Sequence, residues 1–356
     1  MQLDTFDFDL PPAAIAQRPL GQRDAARLLV VDQTGGGFDD RSVADLPALL
    51  RAGDVVVLNE TRVLPARLEL RKPTGGRVEV FLLEPLSDDT NRWEALVRPS
   101  RRVPPGSTLV MEAGSDDGPV IVVDEDLGEG RRIVRPAGAT SLLALAEAAG
   151  SVPLPPYITE RIDDPNRYQT VYAKTASSVA APTAGLHFTD ALLAACEASG
   201  AELHRLELSV GLGTFRPIVV DDIREHDMHA ERYRVPESTW HAVQRAKQHG
   251  GRVVAIGTTT VRALESAATT DCLEGSTNLF ISPGYSWKVV DALMTNFHLP
   301  KSSLLVMLGA FMGERWRDAY ERALANGYRF LSFGDAMFVE RADAVQRVGF
   351  VKGSDG

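Results

Sequence analysis

Six short, strand-like runs follow one another with no helix between them: PARLELRK, GRVEVFLLE, RWEALVR, STLVMEA, PVIVVD and RRIVRP. Gly, Pro, Asp and Ser turns separate them, and the next segment with helical spacing is TSLLALAEAAG. Strands this close in sequence pair most readily with each other, which favours a small antiparallel barrel. Strand and helix patterns lie on both sides of this stretch. The expected fold is therefore mixed α/β, with a discontinuous main domain (residues 1–62 and 150–356) and an inserted barrel of about six strands (63–149). A chain of 356 residues exceeds what one compact core usually holds, in keeping with two domains.

In the flanking parts, ARLLVVD and GDVVVLN are apolar, β-branched runs bounded by Gly and Asp and predict buried strands. PPAAIAQRPLG predicts a short helix starting on Pro11 and Pro12 and ending by Gly21. TDALLAACEASG predicts a helix capped by Thr189 and stopped by Gly200. AELHRLELSVG and RVVAIG predict strands, and ESTWHAVQRAKQHGG, TTTVRALESAA, PKSSLLVMLGAFMG and ERWRDAYERALANG predict helices. YRFLSFGDAMFV predicts a closing strand bent at Gly334 and Asp335.

The net charge of −10 argues against a protein that coats nucleic acid indiscriminately, but not against a local basic patch. No apolar run approaches the roughly 20 residues of a membrane-spanning helix. The start, MQLDTFDFDLPP, lacks the basic and apolar regions of a signal peptide. Cys196 and Cys272 lack metal-ligand spacing, and a reducing cytoplasm is expected.

Several loops carry residues suited to chemistry. In VVAIGTTTVRALES a glycine turns an apolar strand into a helix whose unpaired N–H groups, three threonines and Arg262 suit a carboxylate or phosphate. A plain threonine cap is the alternative. HDMHAE sets His226 and His229 three apart, near each other if helical, with Glu231 as acid, base or ribose-hydroxyl acceptor. The spacing does not match a zinc protease. GLGTFRP, TNFHLPKSSL and SFGDAM are loops of the kind that converge beyond the strand ends of α/β folds, though each also reads as a turn or cap. VAAPTAGLHF delivers His187 from a run of small residues. Arg62, Arg67, Arg71 and Lys72, and then Arg98, Arg101 and Arg102, form basic patches that suit phosphates or a solvated barrel face.

Taken together, VLNETRVLPARL, YQTVYAK, VAAPTAGLHFT, GLGTFRP, HDMHAE, GTTTVRALES, TNFHLPKSSL and YRFLSFGDAM resemble the S-adenosylmethionine:tRNA ribosyltransferase-isomerase family of queuosine biosynthesis, in order and across nearly the whole chain. The resemblance implies an α/β domain with an inserted β-barrel. It implies transfer of the ribosyl moiety of S-adenosylmethionine to preQ1 at the wobble position of tRNA, and its isomerisation. Epoxyqueuosine-tRNA forms, and adenine and methionine leave. S-adenosylmethionine would be a co-substrate, with no cofactor and no metal. The other partner would be tRNA carrying preQ1 in its anticodon, met in the cytoplasm, away from membranes, by a monomer.

Such chemistry needs a base, an acid and neutral or anionic walls for the sulfonium. His187, His229, Glu231 and Asp335 are the catalytic candidates. Thr183, Gly185, Gly213, Thr214, Arg216, Thr258, Thr259, Thr260, Arg262, Asn296 and His298 are the substrate-binding candidates, with Arg262 and the helix start expected on the methionine carboxylate. Arg62, Arg67, Arg98, Arg101 and Arg102 are the tRNA-binding candidates. Ser177, Trp287 and Ala292 depart from the family pattern, at positions that touch packing and loop geometry more than chemistry.

Overall fold

The computed structural model describes residues 1–32, 37–86, 89, 91–111, 120–211 and 218–341. The chain divides into two compact units, one of residues 63–154 and 176–180 and one of the remainder.

In the smaller unit the six runs form β5 (Arg67–Arg71), β6 (Arg77–Pro85), β7 (Trp93–Arg98), β8 (Thr108–Met111), β9 (Ile121–Gly128) and β10 (Arg131–Pro136). They close into a barrel in the order β10-β7-β6-β5-β8-β9. Their pairings are antiparallel, and alternate residues such as Leu68, Leu70, Val78, Val80, Ala95 and Val97 point inward and are buried. Helix α1 (Leu142–Ala149) follows, with Ser141 Oγ accepting from the Ala144 N–H as its cap.

The larger unit is built on a nine-stranded sheet. Its strands are β1 (Arg27–Val31), β2 (Phe38–Ser42), β3 (Val55–Asn59), β12 (Glu202–Leu208), β13 (Glu231–Arg234), β14 (Val253–Ile256), β15 (Glu274–Thr277), β16 (Ala292–Asn296) and β17 (Ala336–Glu340). The short strands β4 (Thr61–Val63) and β11 (Thr175–Ser178) pair separately. The sheet order is β15-β13-β12-β3-β14-β16-β17-β1-β2. Strands β12, β3, β14 and β16 run parallel, and β17 runs antiparallel to β16 with Asn296 opposite Ala336. Every residue of β3 is buried, as expected of a parallel strand covered on both faces. Val56, Leu58, Val254, Ile256, Met294, Phe338 and Phe188 belong to one core cluster.

The register brings many polar residues to one rim of the sheet. The last residues of β12, β3, β14 and β16 lie at this rim, together with the first residues of β13, β17 and β1. Helices α2 (Asp190–Ala198), α3 (Glu237–His249), α4 (Thr258–Thr270), α5 (Ser303–Met312) and α6 (Arg315–Ala325) occupy the predicted segments. Thr189 Oγ1 caps α2 by accepting from the Leu192 N–H.

Four local expectations are corrected. Pro11–Gly21 holds only a 3-10 turn, Pro12–Ala14, because Ile15 is drawn into a bridge with Phe330. The closing strand begins at Ala336, and the preceding turn places Leu331 at a φ of 69°. The HDMHAE histidines sit on irregular backbone rather than a helix. The cap of α4 is Gly257, at a φ of 88°, and not a threonine. Among the described residues no helix is long and apolar enough to cross a membrane.

Candidate active site

Pro182 and Gly185 set a 3-10 turn over Thr183–His187, closed by the Gly185 N–H donating to Pro182 O at 2.8 Å. Phe188, fully buried in the core, pins its end. Gly185 cannot be replaced without rearrangement, because a Cβ there would lie 2.1 Å from the Tyr172 hydroxyl. On the other side a Cβ on Gly257 would stand 3.5 Å from that of Ala184, so the turn packs on the β14–α4 junction.

His187, only 5% exposed, lies under this turn. Asn296, the last residue of β16, reaches its Nε2 with Nδ2 at 3.2 Å. The same Nδ2 donates to the carbonyls of Leu331 (3.1 Å) and Asp335 (3.4 Å), which fixes the amide orientation. The two hydrogens of Nδ2 are shared among these three acceptors, and because an amide nitrogen accepts none, His187 Nε2 is an acceptor and the ring proton sits on Nδ1. Burial is the main cause that lowers its pKa to about 4. Asp335 and the Arg23 backbone pull upward, while the Arg329 and Arg23 guanidinium charges push down. His187 is neutral at physiological pH. Asn296 Oδ1 is buried and has no hydrogen-bond partner among the described residues.

Asp335 is on the same rim, but its carboxylate is already occupied. It accepts from the Arg27 N–H (3.1 Å), the Arg329 N–H (2.9 Å) and Arg329 Nη2 (3.2 Å). These bonds pin the turn before β17 and hold the Asp335 carboxylate in place on the rim.

Arg262 is likewise held by its neighbours. Its Nη1 is ion-paired with Glu231, and Nε and Nη2 donate to the carbonyls of Leu279 and Thr277, both at 3.3 Å. The guanidinium is buried and faces the Glu231 carboxylate, and so braces the wall beside the start of α4. Glu231 also accepts from the Gly211 N–H at 3.3 Å and so orders the end of the β12 segment. His229 is exposed two residues earlier, and His226 rests edge-on against Phe280. Among the described residues no group of three or more His, Cys, Asp or Glu is arranged to hold a metal ion.

At the start of α4, Thr260 Oγ1 donates to Ile256 O at 2.8 Å, and Thr259 Oγ1 accepts from Asn59 Nδ2 at 3.3 Å. Asn59, fully buried at the end of β3, also donates to Leu208 O and ties the β12, β3 and α4 ends together. Thr258 is buried and Thr183 half-buried. His298 hydrogen-bonds Thr295 Oγ1 at 3.1 Å, and its N–H donates to the Tyr320 hydroxyl. Burial pushes its pKa down to about 3, and its contacts are those of a packed histidine beneath α6. Gly213, Thr214 and Arg216 lie outside the described residues.

Beside His187 opens a cleft lined by Leu20, Arg23, Arg167, Arg329 and Phe333 among others. The three arginines and Asn59 were missed in the sequence. An asparagine ending the apolar run VVVLN is the one signal that could have marked Asn59. In the barrel, Arg67 is paired with Glu79 at 3.6 Å and stacks over Phe81. Arg98, Arg101 and Arg102 are exposed and make no ion pair among the described residues, whereas Arg62 is half-buried.

A family model described as queuosine biosynthesis protein matches residues 3–339. The S-adenosylmethionine:tRNA ribosyltransferase-isomerase of Thermus thermophilus is 51% identical over 350 residues, covering 95% of this chain and 99% of its own. That of Moorella thermoacetica is 49% identical over 345 residues, covering 95% and 100%. The crystal structure of S-adenosylmethionine tRNA ribosyltransferase from Thermotoga maritima is similar, with a TM-score of 0.54 and 33% identity over 94% of this chain and 99% of that one.

Proposed function

The chain belongs to the queuosine biosynthesis protein family, and from that premise we propose that it is an S-adenosylmethionine:tRNA ribosyltransferase-isomerase. It transfers the ribosyl moiety of S-adenosylmethionine to preQ1 at the tRNA wobble position and isomerises it. The products are epoxyqueuosine-tRNA, adenine and methionine. S-adenosylmethionine is consumed as a co-substrate, with no cofactor or metal in the step, and the enzyme works in the cytoplasm as a monomer.

The observation that carries this reading is a buried, neutral histidine on the strand-end rim of an α/β sheet. A neutral ring adds no positive charge against the sulfonium. The sulfonium acidifies the adjacent ribose carbon, and we assign abstraction of that proton to His187 Nε2, where the lone pair resides. Asn296 can release Nε2 at little cost, because its amide already holds two carbonyls. The first N–H groups of α4 point to no acceptor among the described residues and suit the methionine carboxylate, a favourable term of about 0.3–1 kcal/mol. Glu231, held by Arg262, keeps the neighbouring wall ordered and supplies an acceptor for a ribose hydroxyl. Arg98, Arg101 and Arg102 meet RNA phosphates through the barrel.

Incubation with S-adenosylmethionine and preQ1-bearing tRNA tests the reading. Adenine and methionine should appear in step with modified tRNA. S-adenosylhomocysteine in their place would make the protein a methyltransferase and overturn the reading.

A further inference from the structure

Arg23 and Arg167 grip each other's chain segments. Arg23 donates from Nη1 to Leu186 O (2.9 Å) and from Nη2 to Asn166 O (3.1 Å). Arg167 donates in return to Gly21 O (3.0 Å) and Leu20 O (2.5 Å). Both guanidiniums line the cleft beside His187, and Arg329 lines it as well. Among the described residues the hydrogen-bond partners of the Arg23 and Arg167 guanidiniums are all neutral carbonyls.

The nearby carboxylates offset this charge only in part, because Asp164 attracts Arg23 less than Arg167 repels it. Asp335 is spent on Arg329 and two backbone N–H groups. Asp24 accepts from Thr189 Oγ1, and Asp164 accepts from the Asn166 N–H. Arg23 and Arg167 have no ion-pair partner among the described residues, and Arg167 Nε is buried with no acceptor at all. Burial, and then the Arg167 charge, make the Arg23 guanidinium less basic than usual, a sign that the two like charges feel each other. Two forks held together on neutral acceptors keep a positive field that Asp164 offsets only in part, and an oxyanion would relieve the rest.

We propose that the Arg23–Arg167 cleft is a phosphate subsite that receives a backbone phosphodiester of the tRNA near its target nucleotide. The proposal rests on the reading that this chain modifies tRNA. The alternative anion, the carboxylate of S-adenosylmethionine, fits the field poorly. It is attached to an ammonium and a sulfonium, so the whole ligand is a cation. A phosphodiester brings a full negative charge and two free oxygens for bidentate contact.

The test compares wild type with R167Q and R23Q in tRNA affinity at several salt concentrations and in KM for S-adenosylmethionine. Inorganic phosphate serves as a small probe in thermal melts. Each variant should bind tRNA about tenfold more weakly, with a salt slope lower by about 1, and should leave the S-adenosylmethionine KM unchanged. Phosphate should raise the wild-type melting temperature more than that of either variant. R167K keeps the charge without the fork and should retain the salt slope while losing part of the affinity, a comparison that still decides if R167Q does not fold. A raised S-adenosylmethionine KM with unchanged tRNA affinity would assign the cleft to the carboxylate. Lower melting temperatures with both binding constants unchanged would reduce the clasp to a brace. Either result overturns the proposal. Failure of the wild type to release adenine would instead reject the ribosyltransferase reading, and the salt slopes would still decide the cleft.

Discussion

The two rims of the nine-stranded sheet both carry ion pairs, such as Arg262–Glu231 and Arg329–Asp335 at the strand ends, yet they differ in what they leave open. At the rim where β3, β14 and β16 begin, charges are closed against each other. Arg252 lies between Asp54 (Nη2–Oδ2 2.5 Å) and Glu340 (2.6 Å), and Lys247 pairs with Asp291 at 2.7 Å. At the rim where those strands end, His187 is neutral, and among the described residues Asn296 Oδ1 lacks a hydrogen-bond partner and Arg23 and Arg167 hydrogen-bond only to carbonyls. A buried polar group without a partner costs stability, whereas each buried charge named at the other rim has a counter-charge. The difference separates a rim that holds the fold from one that holds a ligand.

Substitutions on the two rims should therefore separate activity from stability. The largest effect belongs to the open rim. His187→Ala should lower single-turnover adenine release by about 10²- to 10⁴-fold while urea unfolding stays near wild type. Wild-type turnover in that variant would remove His187 from the chemistry. On the closed rim, Asp54→Ala strands a buried guanidinium and should cost about 3–5 kcal/mol in urea unfolding, with turnover per folded molecule unchanged. A smaller change would mean that Glu340 alone can satisfy Arg252.

The smallest effect is in the pH dependence. Burial lowers the folded-state pKa of His187 to about 4 and of His298 to about 3, against about 6.5 when unfolded. The unfolded chain thus binds more protons below pH 6.5, so stability is intact above that value and declines as pH falls towards the folded values. Between pH 7 and pH 5 each histidine should account for about 2 kcal/mol of the loss. His298→Gln should shrink that pH sensitivity by its share without changing turnover at pH 7 as His187→Ala does. An unchanged pH sensitivity would mean that His298 is not held neutral.

The barrel was legible because each strand pairs with others close in sequence, so alternation and turns contain the whole pattern. The sheet was less so. β2 (FDDRS), β13 (ERYR) and β15 (EGST) are short and polar, and β16 (ALMTN) lacks flanking turn signals. Their pairing comes from partners far away in the chain. Within the site, His187, Asn296 and the threonines of α4 were found from loop chemistry and the family resemblance. The pairing of Arg262 with Glu231 was not legible, because Arg262 lies one turn inside α4 and its partner is 31 positions away. Arg23 and Arg167 are 144 positions apart and meet only through backbone carbonyls, an arrangement with no local signature.

The sheet ends in β2 on one side and β15 on the other, and both edges offer unpaired backbone to any passing strand. On β2 that invitation is withdrawn by composition, since Asp39 and Arg41 pair along the strand at 2.6 Å and Asp40 is held by Arg322 and the Tyr328 hydroxyl. A second chain docking there would have to strip these charges of solvent and partners. The closed barrel offers no edge at all. Resistance to edge-to-edge aggregation is thus written into the charged border of one unit and the circular closure of the other, independently of the chemistry at the rim.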